Sequence, residues 1–240
     1  MPVSHQSTKQ EGSWPKYIHV LKSGIIVGYS GVHQAYQLAL AAHELNLLNR
    51  FYCSLFPGLR KWGTILARLL GADALHNRFI GGIPAKKVWE NPWPFFAYRT
   101  RSALRLNEAT DWETMNIRFD LWIARRLHTD TSKIFVGVET CCASALEVAR
   151  ERAMTTIVDW PGISTQLLNS LAVEAAHQFC LTINASADSP LMHSRKQREM
   201  ELAHLILTSS DFQAKTCATT DFQLTSCESF RYGWIRISGI

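Results

Sequence analysis

The sequence predicts an α/β protein with a mostly parallel, Rossmann-like sheet that carries helices on both faces. Three observations support this prediction: short apolar runs of strand length recur along the chain, each run ends in a turn, and most turns lead into a segment with apolar residues at helical spacing. Alternating strands and helices form βαβ units, whose right-handed crossovers bring the carboxyl ends of the strands to one edge. We expect ligands to bind at that edge.

The first half of the chain shows this alternation clearly. Residues 23–28 predict a strand, and residues 35–45 predict a helix because apolar side chains recur three and four positions apart. Residues 51–56 predict the next strand, which ends before a Pro-Gly pair. Thr110 and Glu113 have the spacing of a capping box, so we expect a helix to begin there.

The second half of the chain repeats the order of strand and helix. Ser144 and Glu147 have the spacing of a second capping box, and Ser210 and Gln213 predict the start of a last helix. The other predicted elements are strands at residues 133–137, 155–159 and 204–208 and a helix at residues 165–179.

The composition is that of a globular protein. The 240-residue chain is 47% hydrophobic and 19% charged, which excludes collagen-like and wholly disordered proteins because these lack the apolar surface for a core. No run approaches the ~18 apolar residues of a membrane-spanning helix, and no apolar leader follows the polar residues 1–12. The six cysteines show no C-x-x-C spacing, which argues against a zinc site. We therefore expect a cytoplasmic protein with free thiols and no bound metal.

We divide the chain into a polar arm at residues 1–21, one Rossmann-like domain at residues 22–223 and an irregular or truncated tail at residues 224–240. Within the domain, residues 57–105 form an insertion in which aromatic side chains alternate with cations, and Asp73 and Glu90 are its only acidic residues. The cations of this insertion are Arg60, Lys61, Arg68, Arg78, Lys86, Lys87, Arg99, Arg101 and Arg105.

Three interpretations of the basic and aromatic insertion stay open. Its cations and rings could bind anionic lipid headgroups, could stack on single-stranded nucleic acid, or could form an ordinary solvated surface over a few core aromatics. The net charge of +5 is mild for a nucleic-acid-binding chain. Between the two partners we therefore favour an anionic membrane surface, with the chain peripheral at the cytoplasmic face.

The turn after the first predicted strand is a candidate ligand-binding loop. It offers backbone N–H groups at the start of a helix, and such groups bind phosphates or sugar hydroxyls. Its candidate substrate-binding residues are Ser30, Gly31, Val32 and His33. The turn lacks both the G-x-G-x-x-G fingerprint and the Gly-Lys-Ser/Thr ending of a phosphate-binding loop, which argues against nicotinamide-cofactor and Walker-type sites.

Two carboxylates stand where later predicted strands end. Glu139, with Thr140 beside it, follows one of these strands, and Asp159 ends the next. A carboxylate at the ligand edge can orient a sugar hydroxyl or act as a base, but it can also cap the helix that follows. We take Glu139 and Asp159 as candidate catalytic residues and Thr140 as a candidate substrate-binding residue.

Several passages resemble the amino-terminal lobe of GT-B glycosyltransferases of the large retaining family four, often called group 1. They are Gly31-Val32-His33 after the first strand, residues 48–56, the paired strands near residues 135–137 and 156–159, and residues 198–212. The last passage is similar to the family's E-x-x-x-A-D-x-I-x-x-x-S-x-F segment, with His204 where aspartate is usual. The resemblance covers residues 22–220.

The resemblance implies a retaining, nucleotide-sugar-dependent hexosyltransferase built from two Rossmann-like lobes. This lobe would bind a carbohydrate or glycolipid acceptor, and the second lobe would bind the nucleotide-sugar. The resemblance also implies no metal and no cofactor besides that co-substrate. It assigns acceptor contacts to residues 30–33 and places Glu139 and Asp159 at the cleft, where many relatives have a histidine near one of the strand ends.

The resemblance extends to one lobe. Glu139 and Glu147 have the spacing of the family's donor-lobe E-x7-E motif, but the glycine-rich continuation of a donor lobe does not follow. We therefore expect a donor lobe to come from a separate subunit, or the reading frame to be truncated, and we expect the chain alone to be partial or inactive. The alternative is a non-catalytic module that binds a glycan or docks onto a donor-lobe partner.

Overall fold

The computed structural model describes residues 24–31, 35–56, 82–106, 110–163, 165–180, 188–220, 227–230 and 234–237. The polar arm, Val32, His33 and residues 57–81 of the basic and aromatic insertion lie outside these ranges. Within them, eight strands form one sheet. The strands are β1 (Ile25–Tyr29), β2 (Leu48–Cys53), β3 (Val88–Glu90), β4 (Ile134–Val138), β5 (Thr155–Trp160), β6 (Leu205–Thr208), β7 (Cys227–Phe230) and β8 (Trp234–Ile237).

The sheet order is β3-β2-β1-β4-β5-β6-β8-β7, and the first six strands in this order are parallel. The α/β fold class and the mostly parallel, Rossmann-like sheet are therefore confirmed. The chain moves outward from β1 to β3 and then returns to place β4 on the other side of β1. This reversal makes the space between the carboxyl ends of β1 and β4 a topological switch point, where open parallel sheets bind their ligands.

Seven α-helices lie within the described ranges, and they cover both faces of the sheet as the sequence predicts. A short 3-10 turn, Ala85–Lys87, precedes β3. The helices are α1 (Ala35–Glu44), α2 (Trp93–Ala103), α3 (Asp111–Leu127), α4 (Ala143–Glu151), α5 (Thr165–Phe179), α6 (Pro190–Leu202) and α7 (Asp211–Thr220).

One core lies between the sheet and α1. The side chains of Val27, Phe51 and Val136 meet on this face because β1 pairs with β2 on one side and with β4 on the other. Tyr36 of α1 packs its ring edge-on against Phe51, with 4.8 Å between centroids. Its buried hydroxyl donates a hydrogen bond to the carbonyl of Leu55, so the aromatic cluster includes a satisfied polar group.

The second core lies on the opposite face, under α3, α4, α6 and α7. Ile26, Phe135 and Val158 come from the sheet, and the helices contribute Phe119, Ile123, Leu146, Met200 and Ala214. Gly28 of β1 faces α3, and a Cβ at this position would lie 2.7 Å from Cδ1 of Ile123 and 3.3 Å from Cε2 of Phe135. A glycine in the middle of the sheet therefore sets how closely α3 approaches β1.

Several boundaries and segments differ from the sequence-based expectations. The second strand is Leu48–Cys53 rather than residues 51–56, and the helix at Thr165–Phe179 is confirmed. The segment 224–240, expected to be irregular, contains β7 and β8, which pair with each other and join the sheet antiparallel to β6. β7 and β8 carry the charged residues Glu228 and Arg236 and so lack the uninterrupted apolar run that predicts β6, and pairing within the sheet defines them.

The close approach at Gly28 gives a test of the packing between α3 and β1. Gly28→Ala is expected to lower the free energy of unfolding by about 1–3 kcal/mol because the new methyl group overlaps Cδ1 of Ile123. Ile123→Val removes that atom and on its own costs about 1 kcal/mol. The double variant should therefore be less destabilised than the sum of the two single variants, by about 1 kcal/mol in urea denaturation. Simple additivity would contradict this description of the contact.

Candidate functional site

The candidate site lies at the switch point, where a chain of polar side chains connects the loops after β1 and β4. The hydroxyl of Ser30 donates to Oδ1 of Asn116 on α3 at 2.7 Å. The amide nitrogen of Asn116 donates in turn to the hydroxyl of Thr140 at 3.3 Å. All three residues are buried, so the two loops and α3 form one hydrogen-bonded unit.

The loop after β1 is also held from the β2 side. The hydroxyl of Ser54 donates to the carbonyl oxygen of Ser30. The ring of Tyr29 lies against Gly31, where a Cβ would come within 2.9 Å of the ring atoms. Gly31 is therefore the residue that lets the tyrosine ring fold back over the loop. Val32 and His33, the other two predicted members of this loop, lie outside the described residues.

The two predicted catalytic carboxylates lie next to each other at the ends of β4 and β5. The backbone N–H of Glu139 donates to the carbonyl of Asp159 at 3.0 Å. The side chain of Glu139 forms an ion pair with Lys196 of α6, with 2.6 Å between Oε1 and Nζ. Lys196 also contacts Asp188 at 2.7 Å, so the ammonium group bridges two carboxylates.

Burial and charge act in opposite directions on this group of residues. Burial alone would lower the pKa of Lys196, but Glu139 and Asp188 outweigh it and raise the pKa, so the amine is a charged partner rather than a nucleophile. Burial, followed by the nearby Cys141, Glu139 and Asp159, raises the pKa of Tyr29. The phenol therefore keeps its proton and can act as a hydrogen-bond donor at this edge.

A fully buried carboxylate, Glu199 of α6, holds the start of α4. Its Oε2 accepts the backbone N–H of Thr140 at 2.7 Å, and its Oε1 accepts those of Cys142 and Ala143 at 2.9 and 3.1 Å. Burial raises the pKa of Glu199 to about 7, although the N–H groups of Cys142 and Thr140 oppose this shift. Thr140 has a φ of +77°, and its bond to Glu199 stabilises that left-handed turn.

A second buried carboxylate occupies the next N–H groups of the same helix. Asp120 of α3 accepts the N–H groups of Ser144 and Ala145, each at 2.8 Å, and forms an ion pair with Arg195 at 2.5 Å. The first N–H groups of α4, which would otherwise attract an anionic ligand, are therefore already bonded to the protein's own carboxylates.

These contacts change the interpretation of the capping-box patterns. Ser144 and Glu147 do not form a capping box, because Asp120 and Glu199 cap α4 and the exposed Glu147 pairs with Arg198 at 3.1 Å. A helix does begin next to Thr110, but the side chain of Thr110 forms no capping hydrogen bond. Glu113, the other residue of that pattern, accepts a hydrogen bond from the hydroxyl of Ser189 instead.

The third capping pattern is confirmed in its essential contact. The hydroxyl of Ser210 accepts the N–H of Gln213 at 3.2 Å. Gln213 then reaches beyond its own helix and donates to the carbonyl of Trp160 at 2.7 Å. The cap of α7 therefore also fixes the end of β5, next to the candidate site.

The structure brings Ser30, Thr140, Glu139 and Asp159 to one edge of the sheet. Gly31 is half-buried and the other four are buried. Their roles in binding and catalysis stay predictions, because the described contacts are internal ones. Cys141 and Cys142, which follow Thr140, are buried. Burial raises the pKa of both thiols, so they are poor nucleophiles.

Four residues of this edge are missed by sequence reasoning: Asn116, Asp120, Lys196 and Glu199. Asn116 and Asp120 are four positions apart and adjoin the apolar stripe of α3, which is the signal that could have found them. Lys196 and Glu199 lie in a strongly charged helix with no such stripe. Glu199 belongs to the passage at residues 198–212 that carries the family resemblance, but the resemblance implies no role for it.

Two further findings bear on the chemistry of the site. In the described parts of the chain, no three His, Cys, Asp or Glu side chains are grouped so that they could hold a metal ion. None of the described helices has the length and apolar character needed to cross a membrane.

Comparison with protein-family models and with curated proteins identifies no relative. No protein-family model matches the chain, and no curated protein matches it significantly. The function is therefore argued from the fold and the residues.

The raised pKa of Glu199 predicts how its contribution to stability depends on pH. Because the folded state holds this proton more tightly than the unfolded state, whose pKa is near the ordinary 4.5, the contribution falls as pH rises from about 4.5 to about 7 and is constant above. Glu199→Gln removes this titration. Between pH 4.5 and 8, the wild type should therefore lose on the order of 3 kcal/mol of unfolding free energy relative to Glu199→Gln.

Urea denaturation across this pH range measures the difference, and Glu201→Gln is the matched control because Glu201 lies on the same helix but is exposed. The control should follow the wild type. A difference between wild type and Glu199→Gln that stays constant with pH would show that Glu199 does not titrate in this range.

Proposed function

We propose that this chain is the acceptor-binding lobe of a GT-B-type glycosyltransferase and that a neutral, hydroxyl-rich acceptor binds at the carboxyl edge between β1 and β4. The fold supports this proposal because the strand order reverses at that edge. The resemblance of residues 22–220 to the amino-terminal lobe of that family supports it from the sequence.

The observation that carries the proposal is the occupation of the start of α4 by Asp120 and Glu199. In a nucleotide-binding Rossmann lobe, free N–H groups at a helix start at this edge attract the diphosphate. Here five backbone N–H groups of that turn and helix start donate to carboxylates instead, namely those of Thr140, Cys142, Ala143, Ser144 and Ala145. A diphosphate at the same place would find these N–H groups already bonded, whereas an uncharged sugar does not depend on them.

The remaining polar groups of the edge suit a sugar. Hydroxyl, amide and carboxylate groups are the usual partners of sugar hydroxyls, and Ser30, Asn116, Thr140 and Glu139 bring them to the loops on both sides of the switch point. The residues are fixed by one another before any ligand arrives. Such preorganisation lowers the entropy lost on binding.

Transfer in GT-B enzymes takes place between two Rossmann-like lobes, and the described residues form one sheet. We therefore propose that this chain alone binds an acceptor without turning over a nucleotide-sugar. The charge that develops on the departing diphosphate needs preorganised cations, and Lys196, the cation closest to Glu139, is already bonded to two carboxylates.

Ligand-observed NMR with a panel of neutral mono- and disaccharides and of nucleoside-diphosphate sugars tests the proposal. A saccharide should give saturation transfer, and nucleotide release from the nucleotide-sugars should stay at background. Ser30→Ala should weaken saccharide binding about fivefold, because the loop loses one buried hydrogen bond of about 1 kcal/mol to Asn116. Ser170→Ala is the matched control, since Ser170 is an exposed serine of α5 that bonds only within its own helix.

Each outcome has a definite meaning. Nucleotide-sugars that bind more tightly than saccharides would assign the lobe to the donor instead. Equal effects of Ser30→Ala and Ser170→Ala would remove the site from the switch point. Rapid nucleotide release by the isolated chain would contradict the proposal that this chain binds only the acceptor.

A further inference from the structure

We propose that α2 and the turn that follows it form a docking surface for an anionic phospholipid bilayer. This surface, called the α2 surface below, consists of Trp93, Ala97, Arg99, Leu104, Arg105 and Leu106. The inference does not depend on the proposed function, because it rests on the exposure and charge of these residues alone.

The α2 surface exposes large apolar side chains to solvent. Trp93 is 76% exposed, Leu104 63% and Leu106 57%. Positions 93, 97, 100 and 104 follow the i, i+4, i+7, i+11 spacing of a single helix face, and all four are exposed. The opposite face, with Pro94, Tyr98 and Ser102, turns toward the protein. Trp93 and Leu104 therefore lie at the two ends of one exposed helix face, with Ala97 and Thr100 between them, and Leu106 follows in the turn.

The exposed charge of α2 and of the turn after it is positive. Arg99 and Arg105 are exposed, and neither has a salt-bridge partner among the residues that the structure describes. Arg101, also exposed, bonds through Nε to both carboxylate oxygens of Asp111 at 3.0 Å. Its guanidinium also donates to the carbonyl of Leu106, so Arg101 holds the turn and the other two arginines supply the net charge.

The turn after α2 places Arg105 in a left-handed backbone conformation, which is unfavourable for a residue other than glycine. Leu106 N–H donates to the carbonyl of Arg101, and Arg105 N–H donates to that of Ser102, which is the hydrogen-bond pattern of a Schellman helix end. The left-handed residue in this motif is usually glycine. Here it is Arg105, with a φ of +55°. A cation therefore occupies a backbone position that favours glycine, beside two exposed leucines.

This combination fits a lipid surface better than a nucleic acid. Tryptophan prefers the headgroup region, leucine prefers the acyl boundary, and arginine binds phosphate while its stem covers apolar surface. Single-stranded nucleic acid is bound mainly by stacked aromatic rings, whereas two of the three large exposed side chains here are aliphatic. The positive charge selects an anionic bilayer over a neutral one.

Cosedimentation of the full chain with vesicles tests the proposal. The chain should sediment with phosphatidylglycerol-containing vesicles and not with pure phosphatidylcholine, and its binding should weaken as salt is raised. Trp93→Ala should lower the partition coefficient about tenfold. Phe212→Ala is the matched control, because Phe212 is a similarly exposed aromatic residue on α7, and it should bind like the wild type.

Arg105→Gly separates charge from folding. Glycine fits the left-handed position at least as well as arginine, so the urea midpoint should not fall, while the partition coefficient should drop about fivefold with the loss of one cation. Arg99→Gln, a second exposed site, should produce a similar drop. Equal sedimentation with neutral and anionic vesicles, or equal losses in Trp93→Ala and Phe212→Ala, would overturn the proposal. So would binding to a single-stranded oligonucleotide without binding to vesicles.

Discussion

The buried carboxylate of Glu199 is the contact on which the arrangement of the site depends. Its two oxygens accept three backbone N–H groups, from Thr140, Cys142 and Ala143, and so tie α6 to the turn between β4 and α4. A helix start leaves N–H groups without partners, and burying them unbonded would cost about 1–3 kcal/mol each. With Asp120 as the second acceptor, two carboxylates from other helices bond the N–H groups at the start of α4.

Local pattern predicts most of the sheet, because β1, β4 and β5 are runs of apolar residues between turns and their burial needs no distant partner to be recognised. The position of Ser30, Thr140, Glu139 and Asp159 at one edge follows from the alternation of strands and helices, whereas the strand order that makes the switch point is seen only in the structure. The short strands β3, β7 and β8 have no such signal, because pairing with a neighbouring strand defines them.

Helix α6 shows why the contacts of the site are harder to predict than the fold. Its sequence is rich in charge and has no apolar stripe, a composition typical of a solvated helix. In the structure the same charges bind it to other elements: Arg195 contacts Asp120, Lys196 contacts Glu139, and Glu199 caps α4. A helix attached through such contacts has no period that a single sequence can reveal, since these three partners lie more than fifty positions away.

The charged residues of the site and those of the α2 surface differ in whether they have partners within the protein. Asp120, Glu139 and Glu199 lie inside the fold and are bonded to internal donors, so their field is largely compensated at close range. Arg99 of α2 and Arg105 of the turn after it lie outside, and neither has a salt-bridge partner among the described residues. Since α2 begins only three positions after β3 ends, and β3 is parallel to β2, the start of α2 lies at the same edge of the sheet as the switch point. For the two proposals to involve one ligand, that ligand needs a neutral sugar head and an anchor in the bilayer, which is the chemistry of a glycolipid rather than of a free sugar.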